Sequence, residues 1–272
     1  MKKKTFDLLV ITTTDYEKQR TVLQTIQSID SQKFHFINKI ISIDDFGNPL
    51  TSELSEYLNA NNWKCNLHPR VGMCENIAIG LKECTSDWLL YSEDDVVVNG
   101  LPLTEDFDII ENKTPKQLGI LSLLSSRGTG FLTDRFETFK NEISNVENYV
   151  NHDNFSAWVR NENTIDEYFI EFPITFVNLK LFKSLFDYAN SHLEGFQIEQ
   201  GLTRAFIDGG FKDEYTKVNY LKPVNVSVFE PLNYWDIMEY ITKNYLFIYN
   251  KDNHNGLGYS VNGGKVFKKI DW

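Results

Sequence analysis

A chain of 272 residues with 42% hydrophobic content is long enough to bury a sizeable core, and no low-complexity stretch marks it as disordered. Its formal net charge of −11 disfavours a large, permanent nucleic-acid interface while leaving room for a local basic groove. Cys65, Cys74 and Cys84 are spaced by nine and ten residues, which fits neither a zinc knuckle nor a CxxC pair, so reduced thiols and a cytoplasmic setting are expected. Met1-Lys2-Lys3-Lys4 leads only into a short apolar strand, without a signal-peptide core, and no run of about 18 apolar residues predicts a membrane span.

Phe6 to Thr13 is apolar and β-branched and ends in the polar turn Thr14-Asp15, which predicts a strand. Val22, Leu23, Ile26 and Ile29 recur at helical spacing within Glu17 to Ile29. Lys39 to Ile43 reads as a second strand, ending in Asp44-Asp45 and the turn residues Gly47-Asn48-Pro49. Thr51 or Ser52 caps a helix through about Asn61, Trp63 to Leu67 is a short strand, and Gly72 to Cys84 is a helix. Trp88 to Tyr91 then forms a short buried strand. Strands and helices alternating with such short connections imply parallel strands and right-handed crossovers.

Three acids, Glu93, Asp94 and Asp95, follow the last of these strands at the carboxyl end, where open α/β sheets bind ligands. Adjacent carboxylates repel one another and lose hydration unless a cation or hydrogen-bond donors meet them. Their hard oxygens suit Mn²⁺ or Mg²⁺ carrying a nucleoside diphosphate. Polar residues also close the earlier strands, at Thr12 to Asp15 and at Asp44-Asp45, as in a nucleotide crevice. No GxGxxG follows the first strand and no Walker A loop is present, which counts against a dinucleotide-binding domain and a P-loop NTPase.

Four segments in order resemble the nucleotide-sugar-binding half of the GT-A glycosyltransferases, family-2-like group. They are the opening strand into Thr12-Thr13-Thr14 with Arg20 and Leu23 beyond it, Ile43-Asp44-Asp45-Phe46-Gly47-Asn48, Arg70-Val71-Gly72-Met73-Cys74-Glu75-Asn76, and Asp87 to Asp95. The resemblance implies a single GT-A-like α/β domain with a mixed, mostly parallel sheet. Residues 1–98 would be the nucleotide-sugar-binding half, 99–225 the acceptor half, and 226–272 a C-terminal helix and active-site tail. It implies that Thr12, Thr13 and Asp15 line the base pocket, that Asp44 or Asp45 contacts the base, and that Arg70 lies near the pyrophosphate or base, with Asn76 in the same donor site. Glu93 and Asp94 would hold the ribose or donor sugar, and Asp95 would ligate the metal. The donor would be a nucleoside-diphosphate sugar, foremost a UDP-sugar, and the sugar moved a hexose or pentose. The acceptor would be a hydroxyl on a surface glycan, a lipid-linked sugar or a hydroxymethylated phage DNA base, the last disfavoured by the acidic charge.

Beyond Val98 the pattern weakens. Asn99 to Lys116 reads as a polar connection, and Leu118 to Leu124 as a strand followed by the glycine-bearing loop Ser125 to Gly130. Phe131 to Glu171 is rich in charge and aromatics and is expected to be irregular, with one or two strands. Glu171 to Val177 is a strand and Leu179 to Asn190 a helix. Ile198-Glu199-Gln200 stands where GT-A enzymes resemble one another in an acidic motif, with Gln200 at the position of the usual aspartate. Glu199, or failing that Glu194, would then accept the acceptor's proton, the alternative being a reaction that retains configuration and needs no such base. Strand character is expected around Pro223 and a helix from Leu232 to Tyr249. His254, in the glycine-rich tail, lies where the family places a late histidine ligand to the metal. Two rival readings are a nucleotidyltransferase, which usually opens with a glycine-rich basic loop absent here, and a non-catalytic carbohydrate-binding protein of the same fold.

Overall fold

The computed structural model describes residues 3–98, 100–123, 149–152, 155–159, 169–170, 174–193, 197–221 and 247–249. Strands β1 (Phe6–Thr13), β2 (Asn38–Asp45), β3 (Lys64–Pro69) and β4 (Trp88–Ser92) alternate with helices α1 (Tyr16–Asp30), α2 (Ser52–Ala60) and α3 (Met73–Lys82). Local chemistry sets where the helices begin. The Asp15 carboxylate accepts from the Glu17 and Lys18 amides at the start of α1, and the Thr51 hydroxyl accepts from the Leu54 amide at the start of α2. After β4 come β5 (Val96–Val98), α4 (Thr104–Glu111), β6 (Gln117–Leu123), β7 (Tyr149–His152), β8 (Phe155–Val159), β9 (Ile174–Asn178), α5 (Leu179–His192), α6 (Ile198–Asp208), α7 (Phe211–Glu214), β10 (Tyr215–Leu221) and β11 (Phe247–Tyr249).

The main sheet has nine strands in the order β3-β2-β1-β4-β9-β6-β10-β8-β7. β3, β2, β1 and β4 are parallel neighbours, β9 runs opposite to both β4 and β6, β10 is parallel to β6, and β8 is antiparallel to β10 and β7. The sheet is therefore mixed but mostly parallel, as expected. Its chain path leaves β1 toward β2 and β3, then returns to place β4 on the other side of β1. That reversal opens a crevice beyond the carboxyl ends of β1 and β4.

Both faces of the sheet are covered, which is why β1 and β4 read as nearly continuous apolar runs. Phe6, Leu8 and Val10 of β1 pack with Val22 and Ile26 of α1, Leu54 of α2 and Phe107 of α4. Leu9 and Ile11 point the other way, into a core with Ile77 and Leu81 of α3, Phe182 and Leu185 of α5 and Leu202 and Phe206 of α6. Among the described residues the three cysteines are free, and no helix is long and apolar enough to cross a membrane.

Two expectations need correction. The connection Asn99 to Lys116 contains the helix α4, whose Phe107 and Ile110 are buried and whose first turn is closed by the Asp106 carboxylate accepting from the Leu103 amide at 2.9 Å. Eight residues are too few to display a helical period. The end of the stretch expected as a helix from Leu232 to Tyr249 is instead the strand β11, antiparallel to β5 with Tyr249 opposite Val96. The open edge of β5 supplies backbone partners that sequence periodicity does not register. The loop Ser125 to Gly130 and Pro223 lie outside the described residues.

At the far end of β1, the buried Asp7 carboxylate accepts from the Asn38 amide and side chain, the Thr85 and Ser86 amides and the Ser86 hydroxyl. It ties the starts of β1 and β2 to the turn before β4. Asp7→Ala leaves several of these donors buried without a partner and is expected to lower stability by about 3 kcal/mol in urea unfolding.

Candidate donor-binding site

The residues ending β1, β2 and β4 converge. The Thr12 hydroxyl, at the end of β1, donates to Asp94 Oδ2 at 2.8 Å in the turn after β4. Asp94 is 7% exposed and its carboxylate also takes the Lys18 ammonium, with Nζ 2.7 Å from Oδ1. The same Nζ lies 3.9 Å from Asp95 Oδ2, while the buried Asp95 Oδ1 has no hydrogen-bond partner among the described residues. Burial pushes the Asp94 carboxyl above its ordinary range, with the Lys18 charge opposing this and the Asp95 charge adding to it. Burial would lower the Lys18 ammonium, but the charges of Asp94 and Asp95 more than reverse that and hold it above its usual range. The short contact and the second carboxylate beside it favour the charged pair.

A second group of bonds shapes the floor of the crevice. The buried Asp44 carboxylate, at the end of β2, accepts from the Val71 and Gly72 amides, each at 2.9 Å. Gly72 caps α3 with φ 91° and ψ 165°, a backbone conformation open essentially only to glycine. Asn76, on the first turn of α3, donates from its side-chain Nδ2 to the Thr12 carbonyl at 3.1 Å, and its side-chain oxygen lies 3.1 Å from His68 Nε2. His68 Nδ1 is 3.4 Å from Asp44 Oδ1. Asp45 accepts from the Thr14 hydroxyl at 3.2 Å and the Gly47 amide at 2.7 Å. At the rim the exposed Arg70 guanidinium stacks over the exposed Phe46 ring, 4.1 Å from its centroid.

Thr13 and Asp15 stand at the mouth, the Thr13 hydroxyl accepting from the Asp15 amide at 3.2 Å. Glu93 lies half-buried at the start of the acidic turn. Glu199 sits on the first turn of α6, within electrostatic reach of the buried Tyr91 hydroxyl. Burial foremost, then the charges of Glu93, Asp94 and Glu199, push that hydroxyl well above its usual range. The fold thus gathers Thr12, Thr13, Asp15, Asp44, Asp45, Asn76, Asp94 and Asp95 at one end of the sheet, with Arg70 at the rim and Glu199 near Tyr91. Glu194 and His254 lie outside the described residues.

Lys18, His68 and Tyr91 belong to this region but carry no mark in the sequence. Lys18 is separated from Asp94 by 76 positions and looks like any polar residue in a helix's first turn. The only available signal is its position three residues after the Asp15 cap, at the sheet's ligand end. Among the described residues no group of three His, Cys, Asp or Glu side chains is arranged to hold a metal. The orphaned Asp95 oxygen nonetheless fits a cation held by one or two carboxylates and completed by the phosphates of its ligand.

The sheet order, the doubly covered parallel half and the acid-lined crevice define a GT-A-like α/β fold. One solved structure agrees at the level of fold, and two others stand beside it only as similarities. S. aureus TarS superposes with a TM-score of 0.50 at 13% identity, over 89% of this chain and 40% of its own. Glucosyl-3-phosphoglycerate synthase from Mycobacterium tuberculosis, in complex with Mn²⁺, UDP and glucosyl-3-phosphoglycerate, gives 0.46 at 15% identity, over 79% of this chain and 70% of its own. The mannosyltransferase PcManGT from Pyrobaculum calidifontis, in complex with GDP-Man and Mn²⁺, gives 0.42 at 10% identity, over 67% of this chain and 47% of its own. This chain spans less than half the length of TarS and of the mannosyltransferase in these superpositions. No family model matches the chain, and no curated protein sequence does.

Asp44→Asn replaces one of two acceptor oxygens with a donor, so either the Val71 or the Gly72 amide loses its partner. Urea unfolding should show a loss of about 1–3 kcal/mol.

Proposed function

We propose that this chain is a metal-assisted glycosyltransferase that moves a sugar from a nucleoside-diphosphate sugar, foremost a UDP-sugar, to a hydroxyl acceptor. The observation that carries this reading is the acidic turn of β4 bridged to Thr12 across the crevice of a GT-A-like sheet, with a buried Asp95 oxygen left to accept a cation. In such sheets the crevice beyond the strand ends is where nucleotides bind.

Thr12, Thr13, Asp15 and Asp45 line the base side. Asp44 commits both oxygens to the loop before α3 and so positions it, while Asp45, half-buried at the end of β2, faces the base. Arg70, held over Phe46, offers a planar cation to the base or pyrophosphate. Asn76 fixes the end of β1 through the Thr12 carbonyl. Glu93 and Asp94 face the ribose or donor sugar, and Asp95 ligates Mn²⁺ or Mg²⁺. When bound, the metal offsets the charge that develops on the departing diphosphate. His254 is proposed as a further ligand. β11 supports this, because its pairing with β5 places Tyr249 opposite Val96, next to Asp95, and His254 follows five residues later in the chain.

The acceptor hydroxyl attacks C1 of the sugar as the bond from C1 to the diphosphate oxygen breaks. Its proton passes to a carboxylate, for which Glu199 is the first choice and Glu194 the second. Glu199 is supported by its place on the first turn of α6 near Tyr91. Gln200, standing where an acid is usual, favours a second reading, a donor-binding protein without turnover.

The test is calorimetric titration of UDP, GDP and CMP with and without Mn²⁺, on wild type and Asp95→Ala. One nucleotide should bind in the presence of the metal, and Asp95→Ala should weaken it at least tenfold, roughly 1.4 kcal/mol. Absence of binding by any nucleotide under any condition would sink the reading. Metal-dependent binding without sugar transfer to any hydroxyl acceptor supports the binding-only alternative.

A further inference from the structure

The structure assigns Lys18 an unexpected place. Its ammonium sits between the two carboxylates proposed to receive the donor sugar and the metal, 2.7 Å from Asp94 and 3.9 Å from Asp95. A cation ligated by Asp95 would lie within a few ångströms of that ammonium, and two positive charges at such a separation repel strongly. The arrangement also permits Lys18 to leave. Its side chain is 38% exposed and ends a flexible four-carbon stem, while its backbone is anchored in the capped first turn of α1. Asp94 would stay in place without it, because the Thr12 hydroxyl holds its other oxygen at 2.8 Å.

We propose that Lys18 is an internal counter-ion of the acidic turn: a divalent cation has to displace it, and its charge passes to the diphosphate when metal and donor enter together. This inference rests on the proposed donor site and adds an order to its filling. With Lys18 on the carboxylates, metal alone binds weakly. With a diphosphate present, the displaced ammonium gains a new anionic partner, so metal and nucleotide reinforce each other's binding. Lys18 is thus a positioning residue for the donor, and removing its charge has opposite effects on the two ligands. Loss of local structure would weaken both.

The experiment is a titration of Mn²⁺ alone, followed by electron paramagnetic resonance of the free ion, on wild type, Lys18→Met, Lys18→Arg and the double variant Lys18→Met/Asp95→Asn. Circular dichroism melting establishes that each variant is folded. Lys18→Met should bind Mn²⁺ at least fivefold more tightly than wild type, the scale of one unit charge about 4 Å away in water-like surroundings. Lys18→Arg should stay close to wild type, and adding Asp95→Asn should abolish the gain. Calorimetry of UDP at saturating Mn²⁺ should show Lys18→Met weakened about tenfold. The proposal is overturned if folded Lys18→Met binds Mn²⁺ no better than wild type, if the gain survives Asp95→Asn, or if its UDP affinity is unchanged. Failure of wild type to bind any nucleotide would instead strike the donor site itself, and the Mn²⁺ titration reads Lys18 independently of that.

Discussion

Carboxylates clustered at the end of a buried strand are the constraint around which the site is built. Two unit charges about 4 Å apart interact with roughly 4 kcal/mol where the effective dielectric constant is near 20. Asp94 and Asp95 are adjacent and largely removed from water, so the folded chain must supply donors and positive charge to that turn. It does so from β1 and α1, with the Thr12 hydroxyl and the Lys18 ammonium. The contact between the two halves of the crevice is therefore electrostatic as well as hydrophobic. A group that brings its own cation has an oxygen of Asp95 still to satisfy.

The crevice floor is rigid for a related reason. Hydrogen bonds tie Asp44 to the Val71 and Gly72 amides, and Asn76 to His68 and the Thr12 carbonyl, with His68 Nδ1 3.4 Å from Asp44, so that contacts run from β2 through β3 and α3 to β1. Gln19 extends them on the other side, donating to the Thr14 and Pro49 carbonyls and accepting from the Thr51 amide. Buried polar groups satisfied in this way fix the backbone of the loops they hold. The loop of Arg70 to Gly72 and the turn after β2 are thus held in place by the protein itself, while Arg70 and Phe46 at the rim stay exposed.

The first 98 residues were largely legible because each element is local and its signal undiluted. β1 and β4 are continuous apolar runs, α1 and α2 begin at side chains that cap them, and Gly72 marks a backbone conformation other residues avoid. Legibility fell where an element's partner lies far along the chain. β11 has three residues and exists through its pairing with β5. α4 is short and declares itself by burying Phe107 and Ile110 against the sheet.

The sequence by itself determined the alternation of strands and helices, the burial of β1 and β4 on both faces, and the placing of polar residues at strand ends. All of these follow from hydrophobic periodicity and backbone chemistry read over a few residues. Only the tertiary structure decided what those polar residues do to one another. It gave Asp44 to the loop before α3, set Asn76 on the Thr12 carbonyl, and brought Lys18 across 76 positions of sequence onto Asp94. The reason is that charge and hydrogen bonding act through space. Which donor meets which carboxylate depends on strand order and helix direction, and no local pattern of residues contains those distances.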